Sequence, residues 1–242
     1  GQLDEAIRLF EEALSIDDSY PFVFLGLGDV LQRAGRLEEA ERAFESVLAL
    51  DPDAFKAHYN LGVTYGNMGR VEEAVAAYEK SIELAPRHPE SGMAHNNIGA
   101  IHQARGEIDE AQARYEQAVA LSPFHLESRY NLAVIYLARD RADEAIGLLE
   151  QAAALQPNHE IVSTRLGWAY LRVGRNQDAY RSLLLVRRLY PGNWEANLGL
   201  ALLHAASGNE SEAKRFLGDA LSRGGEAARA QAEGYPALAA LL

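Results

Sequence analysis

Residues Phe55–Gly69 read Phe-Lys-Ala-His-Tyr-Asn-Leu-Gly-Val-Thr-Tyr-Gly-Asn-Met-Gly, and Arg70–Pro86 read Arg-Val-Glu-Glu-Ala-Val-Ala-Ala-Tyr-Glu-Lys-Ser-Ile-Glu-Leu-Ala-Pro. In each half, apolar residues recur at i, i+3, i+4 and i+7, which places them on one face of a helix. The glycine at the junction supplies the left-handed backbone that ends a helix, and the proline stops the second one. The stretch therefore predicts two helices joined by a tight turn. The pattern does not stop there. An alanine column runs through Ala6, Ala40, Ala74, Ala111, Ala145, Ala179 and Ala213, in steps of 34 residues broken by one of 37. Prolines (Pro52, Pro86, Pro123, Pro157, Pro191) and turn glycines (Gly1, Gly35, Gly69, Gly106, Gly174, Gly208) keep the same step, with Asp140 standing where one glycine is due. A fixed period of this size is the signature of stacked supersecondary units, each burying its apolar face against the next.

Aligned on these columns, the full units are 21–54, 55–88, 92–125, 126–159, 160–193 and 194–225. Segment 1–20 holds only a second helix, because Gly1 falls at the turn position; the expectation is a truncated or processed fragment. Residues 226–242 break the period and read as a C-terminal capping helix. Pro89-Glu90-Ser91 supplies the long step, either in a loop or as an added turn of the following helix. Small residues (Gly28, Gly62, Gly99, Ala133, Gly167, Ala201) form a second column that lets the paired helices approach closely.

The columns Leu61-Gly62, Tyr65, Gly69, Ala74, Tyr78 and Pro86 resemble the tetratricopeptide repeat over nearly the whole chain. The resemblance implies an all-α fold, a right-handed superhelical α-solenoid of tandem helix–turn–helix repeats. It also implies a concave groove lined by the first helix of each unit. Departures are His58 and His95 for a bulky apolar residue, His102 and His204 for tyrosine, and Leu149, Leu183 and Leu217 for an aromatic.

Composition excludes several functions. No cysteine is present, so disulfides and thiolate metal sites are ruled out. No apolar run approaches a membrane span, so no direct membrane insertion is expected; the compartment stays open between cytoplasm and periplasm. A formal charge of −12 argues against nucleic acid as a partner. The charge is unevenly spread. Residues 1–54 carry 13 acids and 4 bases, net −9, whereas 160–193 carry 2 acids and 6 bases, net +4.

No phosphate-binding glycine loop, metalloprotease or nucleophile-elbow motif occurs, so no enzyme activity and no cofactor are expected. The acidic pairs Glu38-Glu39, Glu72-Glu73 and Asp143-Glu144 open second helices, where they complement the helix dipole. His88, His95 and His102 are seven apart, but most histidines fall in core columns, so no metal site is expected.

The groove face carries the functional signal. Asn60, Asn97 and Asn131 recur at one position; each amide can donate to and accept from a peptide main chain or bond the neighbouring unit instead. Similar asparagine ladders occur in the arrays of protein O-glycosyltransferases, which leaves open a substrate-recognition arm of a larger enzyme. Tyr130, Val134, Leu137, Ile161, Trp168, Leu171, Leu198 and Leu202 fall at positions due to be exposed, and such a stripe marks a contact surface. Trp168 is the anchor, with Arg165 and Arg172 flanking it to receive a carboxylate. Two other coverings of the stripe stay open: the tail 235–242 or a second copy of the chain. The five clamp positions that take an acidic chaperone tail in some tetratricopeptide domains read Asn96, Ala100, Asn131, Ile161 and Arg165, too poor a match for that ligand. The expected partner is a protein or peptide. A homo-oligomer is the further alternative, pairing acidic 1–54 with basic 160–193.

Overall fold

The computed structural model describes residues 1–242, all in helices and short connections. The chain forms two compact units, Gly1–Ser128 and Arg129–Leu242, whose boundary falls within one helix.

The first unit contains α1 (Gln2–Ile16), α2 (Pro21–Arg33), α3 (Leu37–Leu50), α4 (Phe55–Asn67), α5 (Val71–Leu84), α6 (Pro89–Ala104), α7 (Ile108–Leu121) and the start of α8 (Leu126–Ala138). Here α2 packs on α3, α4 on α5 and α6 on α7, and α1, α3 and α5 also pack on the first helix that follows each of them. The alanine column lies at the centre of these crossings: Ala40, Ala74 and Ala111 are fully buried. One turn further along the same helices sit Phe44, Tyr78 and Tyr115, each pressed on the glycine of the paired helix. The long step becomes an extra turn, since α6 has 16 residues where α2 and α4 have 13.

The second unit holds the rest of α8, then α9 (Ala142–Leu155), α10 (Glu160–Arg172), α11 (Asn176–Leu189), α12 (Trp194–Ala206), α13 (Glu210–Glu233) and α14 (Pro236–Ala239). The capping segment is not one helix. α13 runs on through the repeat boundary and is interrupted at Gly225 (φ 54°, ψ −132°), and α14 follows as a single turn after Tyr235. Gly225 takes a conformation that only glycine adopts freely, so the chain bends there and returns against α12.

Every helix–turn–helix junction is closed the same way. The residues at the turn column have φ between 60° and 78°, Asp140 among them. The next N–H reaches back five residues to a helix carbonyl, as in Arg36 to Leu31 O and Arg70 to Tyr65 O, at 2.8–2.9 Å. This closure satisfies carbonyls that the helix end would otherwise leave bare. The acidic pairs that open second helices also take part in the turn. Their second members, Glu39, Glu73 and Glu144, bind Arg36, Arg70 and Arg141 of the same turn. Those guanidiniums hold the three carboxyls below the usual carboxylate range. Arg70 and Arg141 also stack on Tyr65 and Tyr136, so the pairs staple the turn rather than offer acid–base chemistry.

Candidate functional site

In the second unit, α10 and α12 lie side by side, and the returning tail comes down across them. Tyr235 and Leu238 join the cluster that contains Trp168, Leu171, Leu198 and Leu202. Leu198, expected in the exposed stripe, is fully buried under this cover. Of the two alternative coverings, it is therefore the tail that reaches the stripe's C-terminal end. The physical reason is that α12 carries apolar residues all round, so one face packs on α13 while another needs a lid. Ile161 stays exposed, and Tyr130, Val134 and Leu137 are half-buried.

Beside this cover the tail leaves a cleft of about 470 Å³. Trp168, Leu171, Leu202 and Tyr235 form its apolar wall, and Arg165, Glu195 and Gln231 its polar groups. The Trp168 and Tyr235 rings lie 5.8 Å apart at 30°, so the indole is held at one end of the cleft. Arg165 makes no ion pair. Its Nε and the indole Nε1 of Trp168 are buried with no acceptor in the protein. Two unpartnered buried donors are costly, about 1–3 kcal/mol each.

Arg172 is differently employed. Its Nη1 donates to Leu137 O at 2.6 Å and its Nη2 to Asp140 Oδ1 at 2.7 Å. It thus secures the end of α8, at the turn where Asp140 replaces glycine. Arg165, and not the expected Arg165–Arg172 pair, is the uncommitted cation of the cleft.

Of the residues expected from the sequence, Arg165, Trp168, Leu171, Arg172 and Leu202 line this cleft, while Tyr130, Val134 and Asn131 lie outside its lining. Asn60 and Asn97 belong to the first unit. There the Asn60 amide donates to Asp29 Oδ1 of the preceding repeat at 2.7 Å, and Asn97 to the Tyr78 hydroxyl at 3.1 Å. Burial raises the Asp29 carboxyl above its ordinary range, with Arg33 opposing. Both amides therefore bond the neighbouring repeat, as the alternative reading of the ladder has it. Each keeps further donor and acceptor capacity toward a ligand.

The histidines disperse. His88 Nδ1 accepts the Glu90 N–H at 3.2 Å and caps α6, His95 faces Arg114, and His204 stacks on Phe216 with centroids 5.3 Å apart. Burial, and then the charge of Arg114, lowers the His95 imidazole. No three groups of ligand type converge on a point. Sequence reasoning missed Glu195, Gln231 and Tyr235. Glu195 sits at the start of α12 with no pattern to distinguish it, and the other two lie beyond the last repeat, where the columns give no coordinates.

Four family profiles match the chain: tetratricopeptide repeats over residues 53–123, over 1–47 with 102–161, and over 164–213, and a TPR repeat over 28–69. No curated protein sequence matches it. Among solved structures, PilF of Pseudomonas aeruginosa is 20% identical with TM-score 0.70, covering 96% of this chain and 100% of its own. PilW, described as a widely conserved type IV pilus biogenesis factor, is 17% identical with TM-score 0.63, covering 84% of this chain and 92% of its own. YrrB, described as a TPR protein with an unusual peptide-binding site, is 20% identical with TM-score 0.58, covering 82% of this chain and 97% of its own. At such identities the likeness shows the fold.

Proposed function

Because the chain belongs to the tetratricopeptide repeat family, whose arrays act by contact with other proteins, we propose that it is a non-enzymatic interaction module that grips an extended peptide segment at the Trp168 cleft. The observation that carries this reading is the cleft's composition. Trp168 and Tyr235 offer flat apolar surface at small entropic cost, and Arg165 with Glu195 offers one donor group and one acceptor group. A peptide main chain presents the complementary pair, C=O and N–H, at every residue. The ligand this suits is an extended segment with a bulky apolar side chain against Trp168 and a carbonyl or carboxylate at Arg165.

A displayed random-peptide library panned on the full chain tests the assignment, with selected peptides measured by fluorescence anisotropy. Trp168→Ala should weaken binding at least tenfold, as interface tryptophans do. Arg165→Glu, which leaves the apolar wall in place, should weaken it severalfold and shift selection away from acidic residues. Peptides that bind both variants as tightly as the parent would place the site elsewhere.

A further inference from the structure

The repeat register allows each outward helix position to be compared with its counterparts in the same chain. Five residues after the alanine column, α3, α5, α7 and α9 carry Glu45, Glu79, Glu116 and Glu150. At that position α11 carries Leu184. One residue later the same helices carry Ser46, Lys80, Gln117 and Gln151, and α11 carries Leu185. This position lies toward the next repeat, where the partly exposed Glu79 binds Arg114 and the exposed Glu150 binds Tyr170 and Arg175. On α11 alone the face at this position becomes apolar. It is also basic: Arg181 and Arg188 flank the leucines, one turn before Leu184 and one turn after it.

The structure keeps this face open. Leu184 is 38% exposed and Leu189 40%, against complete burial of Leu183 on the inner side of the same helix. Arg181, Leu184, Leu185 and Arg188 line a shallow depression of about 540 Å³ together with Arg187. Arg187 is committed to Asn197 and Asp219. Arg181, by contrast, is 77% exposed and only 3.8 Å from its nearest carboxylate at Asp178, and Arg188 has no ion pair. None of these residues lines the Trp168 cleft. Two leucines between two exposed arginines, one only loosely paired with Asp178 and the other without an ion pair, form a contact surface for something apolar and negatively charged.

The same molecule carries that complement. Residues Ile16–Phe22, joining α1 to α2, read Ile-Asp-Asp-Ser-Tyr-Pro-Phe. Ile16 is 83% exposed, Phe22 82% and Tyr20 58%. Asp17 and Asp18 supply two negative charges, and the segment holds no base. The geometry points to self-association: the Ile16–Phe22 segment of one copy seats on the outer face of α11 of another, its apolar side chains on Leu184 and Leu185 and its aspartates on Arg181 and Arg188. The two surfaces differ, so the contact is heterologous, and each copy can give and receive at once. The contact is small, in the range of transient interfaces, and depends on concentration and salt.

Sedimentation velocity of the full chain tests it. The weight-average sedimentation coefficient of the parent should rise with concentration at low salt, and raising the salt should weaken association about tenfold, because exposed charge pairs are screened. Arg181→Glu/Arg188→Glu should remain monomeric, and so should Asp17→Lys/Asp18→Lys. Mixed in equal amounts, these two variants present opposite charges again and should associate, which also shows that both are folded. Leu184→Glu should abolish association with an unchanged helical circular dichroism spectrum. A parent chain that stays monomeric at every concentration and salt, association that survives either charge reversal, or a mixture that stays monomeric would each overturn the inference.

Discussion

Gly62 stands so close to Tyr78 that a β-carbon built on it would lie 2.5 Å from the ring. The same approach recurs at Gly28 against Phe44 and Gly99 against Tyr115, at 2.4 and 2.8 Å. Where the register has alanine in place of glycine, at Ala133 and Ala201, the facing position holds Leu149 and Leu217 rather than an aromatic ring. Leu149 and Leu217 thus compensate for the extra methyl, whereas Leu183, the third leucine that departs from the family pattern, still faces a glycine, Gly167, where a β-carbon would lie 2.6 Å from it. Gly62→Ala would ordinarily stabilise a helix by about 0.5–1 kcal/mol. Here the buried ring has nowhere to go, and the substitution should cost about 1–3 kcal/mol in a urea titration. In a Tyr78→Leu background the penalty should shrink by about 1 kcal/mol or more, since the pair then matches Ala133 with Leu149. A penalty of equal size in both backgrounds would show that packing against the ring is not its cause.

At the scale of elements, the piece that shapes the cleft is the least periodic one. α13 turns at Gly225, where φ 54° and ψ −132° exclude other residues at about 1–3 kcal/mol, while the space around its Cα is open. Its neighbour Gly224 is fixed by packing instead, because a β-carbon there would lie 2.6 Å from the Trp194 indole. Gly225→Ala therefore strains the backbone and removes no contact. It should loosen the segment 226–242, lifting Tyr235 from Trp168 and Leu238 from the α12 face. Hydrogen exchange followed by mass spectrometry should show protection lost in 226–242 and in the adjoining turns of α10 and α12, with α9 unchanged. Gly234→Ala, at φ −67°, is the matched control and should leave the pattern intact. Equal exchange in Gly225→Ala and the parent would mean that the bend is tolerated without glycine.

Across the whole molecule, what could be read beforehand follows the range of the interactions. Helix pairs, turns and the alanine crossings rest on contacts within a repeat or with the next one, so 34-residue columns such as Ala74 and Gly69 encode them directly. Trp168 and Arg165 could be placed because a residue's number in its repeat assigns its face. Leu198 could not, since its cover comes from Tyr235 and Leu238, outside the period, and their position depends on the Gly225 backbone. The partners of Asn60 and Asn97 were equally hidden, because Asp29 and Tyr78 stand opposite them only once two repeats are stacked. A stacked array also distributes stability by neighbours rather than globally. α1 buries only Ile7, whereas α6 and α10 bury residues along most of their length. Residues 1–54 add a net charge of −9, which repels itself and weakens that end further. Amide exchange should therefore be fastest in α1 among the long helices and slowest in α6 and α10. Raising the salt should slow α1 selectively, because screening relieves the acidic end while the interior helices have little repulsion to lose. Exchange that is uniform from α1 to α12, or a salt response equal in all of them, would show that the chain unfolds as one cooperative body and not along its stack.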